Sequence, residues 1–262
     1  TSGNGVTTLS VSPASVNNLM VFFSSPRGSG SISSVSGGGV STWSKITSTT
    51  AGSGSDTTSI DMWKGVVTTT GSSNITVTFS GSSGNPNELA AMEFTTGSTT
   101  GSWVVDASNA QYNSTSSTTI TFPSLTPQSS RDVYVGYASG SNGNTASAGS
   151  TSGYTYITGN LANRIGLYNT NISSSTQPTA TQSSSGNSLA VGALIAAYSS
   201  SSVIANSTVT QSANFNIQAS TSTSVAGVLQ AFAGSSQDIF QIMDGAGTVV
   251  NSFSSTGDLL VR

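Results

Sequence analysis

Histidine and cysteine are absent from this 262-residue chain, and charged residues make up only 6% of it. Without cysteine no disulfide holds the fold, and no redox compartment can be inferred. The two absences together exclude a Ser-His-Asp triad, a cysteine nucleophile and an ordinary zinc site, so neither a metal nor a cofactor is expected. Ordinary soluble proteins carry about 25% charged residues. The six Lys and Arg here are scattered. They cannot form the basic stripe that a phosphate backbone requires, so no nucleic-acid partner is expected. Long apolar runs are missing too. The longest, Leu189 to Tyr198, is about half a membrane span and reads as a buried strand, so no membrane insertion is expected. Nowhere does an apolar pattern of helical period persist for three turns.

Ser, Thr, Gly and Asn fill the balance. Hydrophobic residues at 34% are enough for two modest cores. Low charge with regular aromatic and β-branched runs argues against a charge-rich disordered chain. The chain begins at Thr1 with neither an initiator methionine nor a signal peptide, as a processed or trimmed form would.

One short strand is used twice. Residues 13–23 read PASVNNLMVFF and residues 127–137 read PQSSRDVYVGY. Each has a proline, a polar corner and an apolar run bounded by turn formers, the pattern of a buried strand. The offset is 114, and the landmarks that follow return in order. Trp43–Ile46 matches Tyr154–Ile157, Ser59–Trp63 matches Arg164–Tyr168, Ile75–Phe79 matches Pro178–Gln182, and Leu89–Phe94 matches Ala193–Tyr198. These give offsets of 111, 105, 103 and 104. Val6–Val11 aligns with Ile120–Leu125. The strand-like segment Ser102–Asp106 has no counterpart in copy one: either the first domain lacks a strand or its beginning lies outside this chain, and the second is expected. Residues 24–42, with Pro26 and Gly37–Gly39, read as a Gly/Ser loop.

The reading is all-β: two tandem β-sandwich domains, jelly-roll or Ig-like, followed by a β-ribbon. The expected boundaries are residues 1–98, 99–200, a Ser-rich linker at 201–212 and the ribbon at 213–262. In the ribbon, Asp244-Gly245-Ala246-Gly247 sits between two apolar runs, a hairpin signal. Ile239, Phe240, Ile242 and Met243 on one arm, with Val249, Val250, Phe253 and then Leu259, carry apolar groups on both faces. A lone hairpin can hide one face at most, so these residues are expected to form an oligomer interface.

Chemistry is sparse. Asp61 and Glu93 are the best-placed carboxylates for a glycosidase pair, but the matching positions in copy two, read as Gly166 and Ala197, lack them. No catalytic residue is assigned, and a pairing of Asp61 with Lys45 or Lys64 is the simpler account. Trp43, Trp63, Tyr154, Tyr156 and Tyr168 could stack on sugars, yet matched repeat positions favour core packing. Trp103 and Tyr112, unmatched in copy one, are the candidates for surface contact. Four Asn-X-Ser/Thr matches, beginning at Asn74, Asn113, Asn171 and Asn206, decide nothing in a chain this rich in those residues.

Gly227–Gln230, Gln237–Ile242, the Gly-containing turn and Ser255–Leu259 resemble the shaft-type modules of tailed-bacteriophage tail fibres and related virion proteins. The two repeats more loosely resemble the Ser/Thr-rich β-sandwich domains of phage and bacterial surface proteins. The resemblance implies a non-enzymatic structural protein on a virion surface or outside the cell. It would be a homotrimer contacting other virion proteins, as tail fibre, head fibre or capsid decoration, with a host surface glycan as a candidate ligand. A bacterial adhesin or extracellular filament subunit is the alternative, and a carbohydrate-binding or polysaccharide-degrading module the third.

Overall fold

The structure, a computed structural model, describes residues 2–4, 7–27, 31–52, 58–80, 84–95, 101–128, 132–199, 240–243, 249–253 and 259–261. Among them there is no helix. Residues 1–205 form one compact unit and residues 206–262 another.

The first repeat supplies β1 (Ser2–Asn4), β2 (Thr8–Val11), β3 (Leu19–Arg27), β4 (Ser31–Gly37), β5 (Val40–Ala51), β6 (Thr58–Val67), β7 (Ser73–Ser80) and β8 (Gly84–Phe94). They form one sheet in the order β1-β8-β3-β6-β5-β4-β7-β2. Strand β4 meets β5 only through Gly37 and Val40, so the sheet folds over at that corner into two layers. The corner needs glycine. Gly37, Gly38 and Gly39 have φ of 77°, 71° and 74°, and a Cβ on Gly39 would lie 2.2 Å from the Thr69 carbonyl oxygen. Between the layers lie Leu9, Met20, Phe22, Ile32, Ile75 and Leu89.

The second repeat supplies β9 (Gly101–Thr121), β10 (Asp132–Ser139), β11 (Ala146–Ser147), β12 (Thr155–Thr158), β13 (Arg164–Ile172) and β14 (Thr179–Ser199). The sheet order is β11-β14-β10-β13-β12, with β9 also on β14. Strands β9 and β14 are each 21 residues long. Their register shifts between Thr181 and Ser188, the kind of bulge by which a strand turns a corner from one layer to the next. Ile120, Phe122, Tyr134, Ile165, Leu167 and Leu194 fill this second sandwich.

The order β1-β8-β3-β6-β5 recurs as β9-β14-β10-β13-β12. Leu19–Phe23 and Val133–Tyr137 therefore occupy equivalent central positions, as the repeat predicts. Three details differ from the sequence reading. Phe22 pairs with Trp63 and Ala91, while Gly136 pairs with Leu167 and Gly192. Trp63 thus corresponds to Leu167 rather than Tyr168, Asp61 to Ile165 rather than Gly166, and Glu93 to Leu194 rather than Ala197. A slip of one residue turns a side chain to the opposite face, which residue type alone does not reveal. Next, copy one has a short edge strand that the sequence reading did not include: β1 stands against residues 88–90 of β8 as residues 110–112 of β9 stand against residues 189–191 of β14. Residues 102–105 pair further along β14, and β1 is not their counterpart. Finally, residues 24–42 are largely strand. Pro26 sits where the β3–β8 register shifts, a bulge that tolerates its missing N–H.

A third core joins the lobes. Every residue of β10, and every residue of β3 except Arg27, is buried. Leu19, Val21 and Phe23 on the outer face of one sandwich meet Val133, Val135 and Tyr137 on the other, flanked by Ile60, Met62, Val191 and Ile195. Phe23 stacks on Tyr137 with ring centroids 5.0 Å apart and planes 15° from parallel. These two are counterparts at the offset of 114. Residues that touch their own counterparts mark an isologous contact, here made within one chain. Each such side chain contributes about 1.5–3 kcal/mol on full burial. The two repeats consequently share one unit.

The C-terminal unit has β15 (Phe240–Met243), β16 (Val249–Phe253) and β17 (Leu259–Val261) as an antiparallel meander. Phe240, Phe253 and Leu259 occupy one cross-strand row. Ile239, the turn at 244–248 and the linker at 201–212 lie outside the described residues.

Candidate functional site

The two central strands lie across one another pointing the same way. At their N-terminal ends Trp103 donates its Nε1–H to the Asn17 carbonyl at 2.9 Å. At their C-terminal ends Arg164, paired with Ser139 of β10, donates from Nε to Ser25 Oγ of β3 at 2.8 Å. Beyond this second contact the sheets part, leaving a cavity of about 300 Å³. Its walls come from the ends of β3, β5 and β10, the start of β6 and β13, and the middle of β9 and β14.

Behind Arg164 and Leu161, which line the cavity, lies a buried polar network. Glu88, fully buried, accepts hydrogen bonds from Tyr137 Oη at 2.8 Å and from the backbone N–H groups of Asn160 and Leu161 at 3.2 and 2.6 Å. This ties the 159–163 turn to the lobe interface. Gly159 is required there, because a Cβ would lie 2.2 Å from Glu88 Oε1 and 2.7 Å from Arg164 Cβ. Burial pushes the Tyr137 phenol well above its usual range, and Glu88 adds to the shift while Arg164 opposes it. Burial lowers the Arg164 guanidinium, with Tyr137 and Glu88 opposing and Arg27 adding to the shift. Arg164 is 4% exposed, and its Nη1 has no hydrogen-bond partner among the described residues.

Arg27 and Arg164 both line the cavity, with Tyr112 and the polar residues Ser141, Asn142 and Asn163. No Asp or Glu lies among the described lining residues. Two of the six basic residues of a charge-poor chain thus converge on one space.

Of the two candidate contact residues the structure keeps one at the surface. Tyr112 is 46% exposed, and its hydroxyl accepts from Asn187 Nδ2 at 3.0 Å. Trp103 is 4% exposed. Its ring packs in the shared core, and its carbonyl accepts from Lys64 Nζ at 2.7 Å. It clamps one lobe to the other. The other aromatics are engaged in packing. Trp43 packs edge-on against Phe22 and donates to the Gly37 carbonyl, Tyr154 packs against Tyr134, and Tyr168 against Phe94.

Asp61 and Glu93 do not share a cleft. Asp61, 2% exposed, pairs with Lys45 Nζ at 2.5 Å. Glu93 accepts from the Ala14 N–H at 2.9 Å and from Asn18 Nδ2 at 2.6 Å, holding the turn before β3. Among the described residues no group of three or more Asp or Glu could hold a metal ion. Sequence reading missed Arg27, Arg164 and Glu88. The one available signal was a charge beside an apolar run, Arg164 before Ile165 and Glu88 before Leu89.

No protein-family model, curated protein or solved structure matches this chain.

Proposed function

We propose that the chain is a structural protein of a tailed-bacteriophage virion, a tail fibre, head fibre or capsid decoration. It trimerises through the C-terminal ribbon and presents the two-lobed body for surface attachment. The observation that carries this reading is the ribbon itself. It forms a unit of its own, with Phe240, Phe253 and Leu259 in one row of a three-stranded meander. The three described strands, of 4, 5 and 3 residues, are too short to enclose a core by themselves, and further copies covering that row is the reading this supports. A closed three-fold covers the same residues in every copy. The body, in contrast, carries its own cores.

Light scattering on the full chain tests the assembly. The expected mass is three times 26.1 kDa, and a monomer at micromolar concentration would remove the ribbon argument. Immunogold labelling of purified virions tests the location. Label on fibres or heads supports the reading, and label confined to the bacterial surface favours the adhesin alternative.

A further inference from the structure

We infer that Asn142 is a site of spontaneous deamidation, where the backbone nitrogen of Gly143 closes a ring on the Asn142 side chain and the residue becomes aspartate or isoaspartate. The inference stands on the turn between β10 and β11 and does not depend on the function proposed above.

The chemistry needs an asparagine amide free to move, an unshielded nitrogen after it, and room. The turn at residues 141–144 supplies all of these. It is closed by the Asn144 N–H, which donates to the Ser141 carbonyl at 3.1 Å. Gly143 holds a φ of 82°, the positive value that a type II turn requires at its third residue and glycine supplies. Asn142 and Gly143 are both exposed. Among the described residues neither the Asn142 side chain nor the Gly143 N–H has a hydrogen-bond partner. Nothing lies within 4 Å of where a Cβ on Gly143 would stand, so the approach to its nitrogen is open. Nearby asparagines are the contrast. Asn144 Nδ2 donates to Gln182 Oε1 at 3.0 Å and to the Ser184 carbonyl at 2.7 Å, and Asn163 Nδ2 donates to the Gly140 carbonyl at 3.0 Å. The residues after them, Thr145 and Arg164, carry side chains that crowd the attacking nitrogen.

The Gly143 nitrogen loses its proton and attacks Asn142 Cγ. A C–N bond forms, and the side-chain nitrogen leaves as ammonia. One water molecule then opens the cyclic imide at either of its carbonyls, and no oxidant is needed. Opening at the former side-chain carbonyl gives aspartate and keeps the backbone as it was. Opening at the backbone carbonyl gives isoaspartate and routes the chain through an extra methylene, lengthening the turn that Asn144 anchors on β14. Either product adds one negative charge to a chain whose net charge is −3. Asn142 lines the cavity, so the new carboxylate enters a lining whose described residues hold no Asp or Glu.

Incubating the full chain at mildly alkaline pH and mapping the tryptic peptide 132–164 by mass tests this. The peptide carries Asn142 together with Asn144 and Asn163 as internal controls, and it separates this pair from Asn4-Gly5, the other Asn-Gly in the chain. Asn142 should convert first, to both products and faster as pH rises, while Asn144 and Asn163 stay amides. The folded chain should convert within about tenfold of the rate in the urea-unfolded chain, a difference of about 1.4 kcal/mol in barrier. Asn142→Gln, whose larger ring closes more slowly, should lose the conversion, and Asn142→Asp should reproduce the more acidic charge form. Conversion of Asn144 or Asn163 as fast as Asn142 would overturn the proposal. So would protection of Asn142 in the folded chain by more than about tenfold, because the turn would then shield the amide rather than expose it.

Discussion

The two lobes share a strand order yet fill their cores differently. In the first lobe Phe22 and Leu9 lie in the inner core. In the second, Gly136 stands for Phe22. The ladders place Phe122 at the position of Leu9, one residue from the sequence alignment, since Thr8 pairs with Thr76 as Thr121 pairs with Thr179. A Cβ on Gly136 would lie 2.9 Å from Phe122 Cδ1. Large and small have changed places across the layers, and the sandwich stays filled. Polarity differs as well. Met20, Phe23 and Trp43 of the first lobe correspond to Tyr134, Tyr137 and Tyr154 of the second. Each tyrosine hydroxyl has a partner: the Pro123 carbonyl, Glu88 and Thr176. Cores tolerate such exchanges when volume is kept and buried polar groups are paired. Architecture here follows from strand order and facing, and individual residues can trade roles within it.

The largest expected effect falls on the contact that belongs to both lobes. Phe23→Ala should destabilise the unit by about 3–5 kcal/mol, the usual cost of removing a buried aromatic ring. Denaturant unfolding should remain one transition, because the shared core makes the lobes one cooperative body. Two separated transitions in the parent protein would break the comparison by showing two independent domains.

Alkaline pH should separate the lobes next. Burial raises the pKa of Tyr134 and Tyr137, and raises that of Tyr154 to about 12. A raised folded-state pKa means that the native state holds protons the unfolded chain gives up near pH 10. Stability is then complete below about pH 10 and falls as pH rises above it. For the two deeply buried phenols the slope is about 2.7 kcal/mol per pH unit, with a smaller addition from the partly exposed Tyr154. Tyrosinate absorbance should lag in the folded state and jump at unfolding. Tyr134→Phe should lower the slope, whereas Trp43→Phe in the first lobe should leave it unchanged.

Gly136→Phe sharpens the size exchange. Alone it should cost about 1–3 kcal/mol by overpacking against Phe122. Combined with Phe122→Leu, which restores the first lobe's pair, it should cost less than the two single changes together. Additive losses in a double-mutant cycle would show that the positions are not exchanged partners.

Much of this fold was legible because β-structure writes itself in short apolar runs and turn residues. The Pro-to-aromatic strand announced the repeat, and its register across β3 and β10 needs no correction. What stayed hidden was facing. On β6 and β13 the aromatic at position five suggested that Trp63 matches Tyr168, while the ladder matches it to Leu167. An aromatic can serve either face, so residue type cannot settle a one-residue slip. The site was less legible still. Arg27 and Arg164 are 137 positions apart, and only the stacking of β3 on β10 brings their ends together. Trp103 shows the converse error. An unmatched tryptophan reads as a surface contact, but its surface is the other half of the same chain.

The smallest expected effect concerns Glu93, and it tests whether an unmatched carboxylate is structural. Its counterpart Leu194 is fully buried in the second lobe, so the strand position has no general need of a charge. What Glu93 has instead is the turn at residues 12–18, where its Oε1 accepts from Ala14 N–H and Asn18 Nδ2. Glu93→Gln keeps one acceptor oxygen and the side-chain length but loses the charge assistance. A hydrogen bond of this kind contributes about 0.5–1.5 kcal/mol net, and about 1.5–3 kcal/mol when one partner is charged. The substitution should therefore cost about 1 kcal/mol and speed hydrogen exchange at the Ala14 amide. Glu93→Leu, copying the second lobe, should cost more, since it leaves both donors without an acceptor. If Glu93→Leu were neutral, the turn would be held by the backbone alone and the carboxylate would need another explanation.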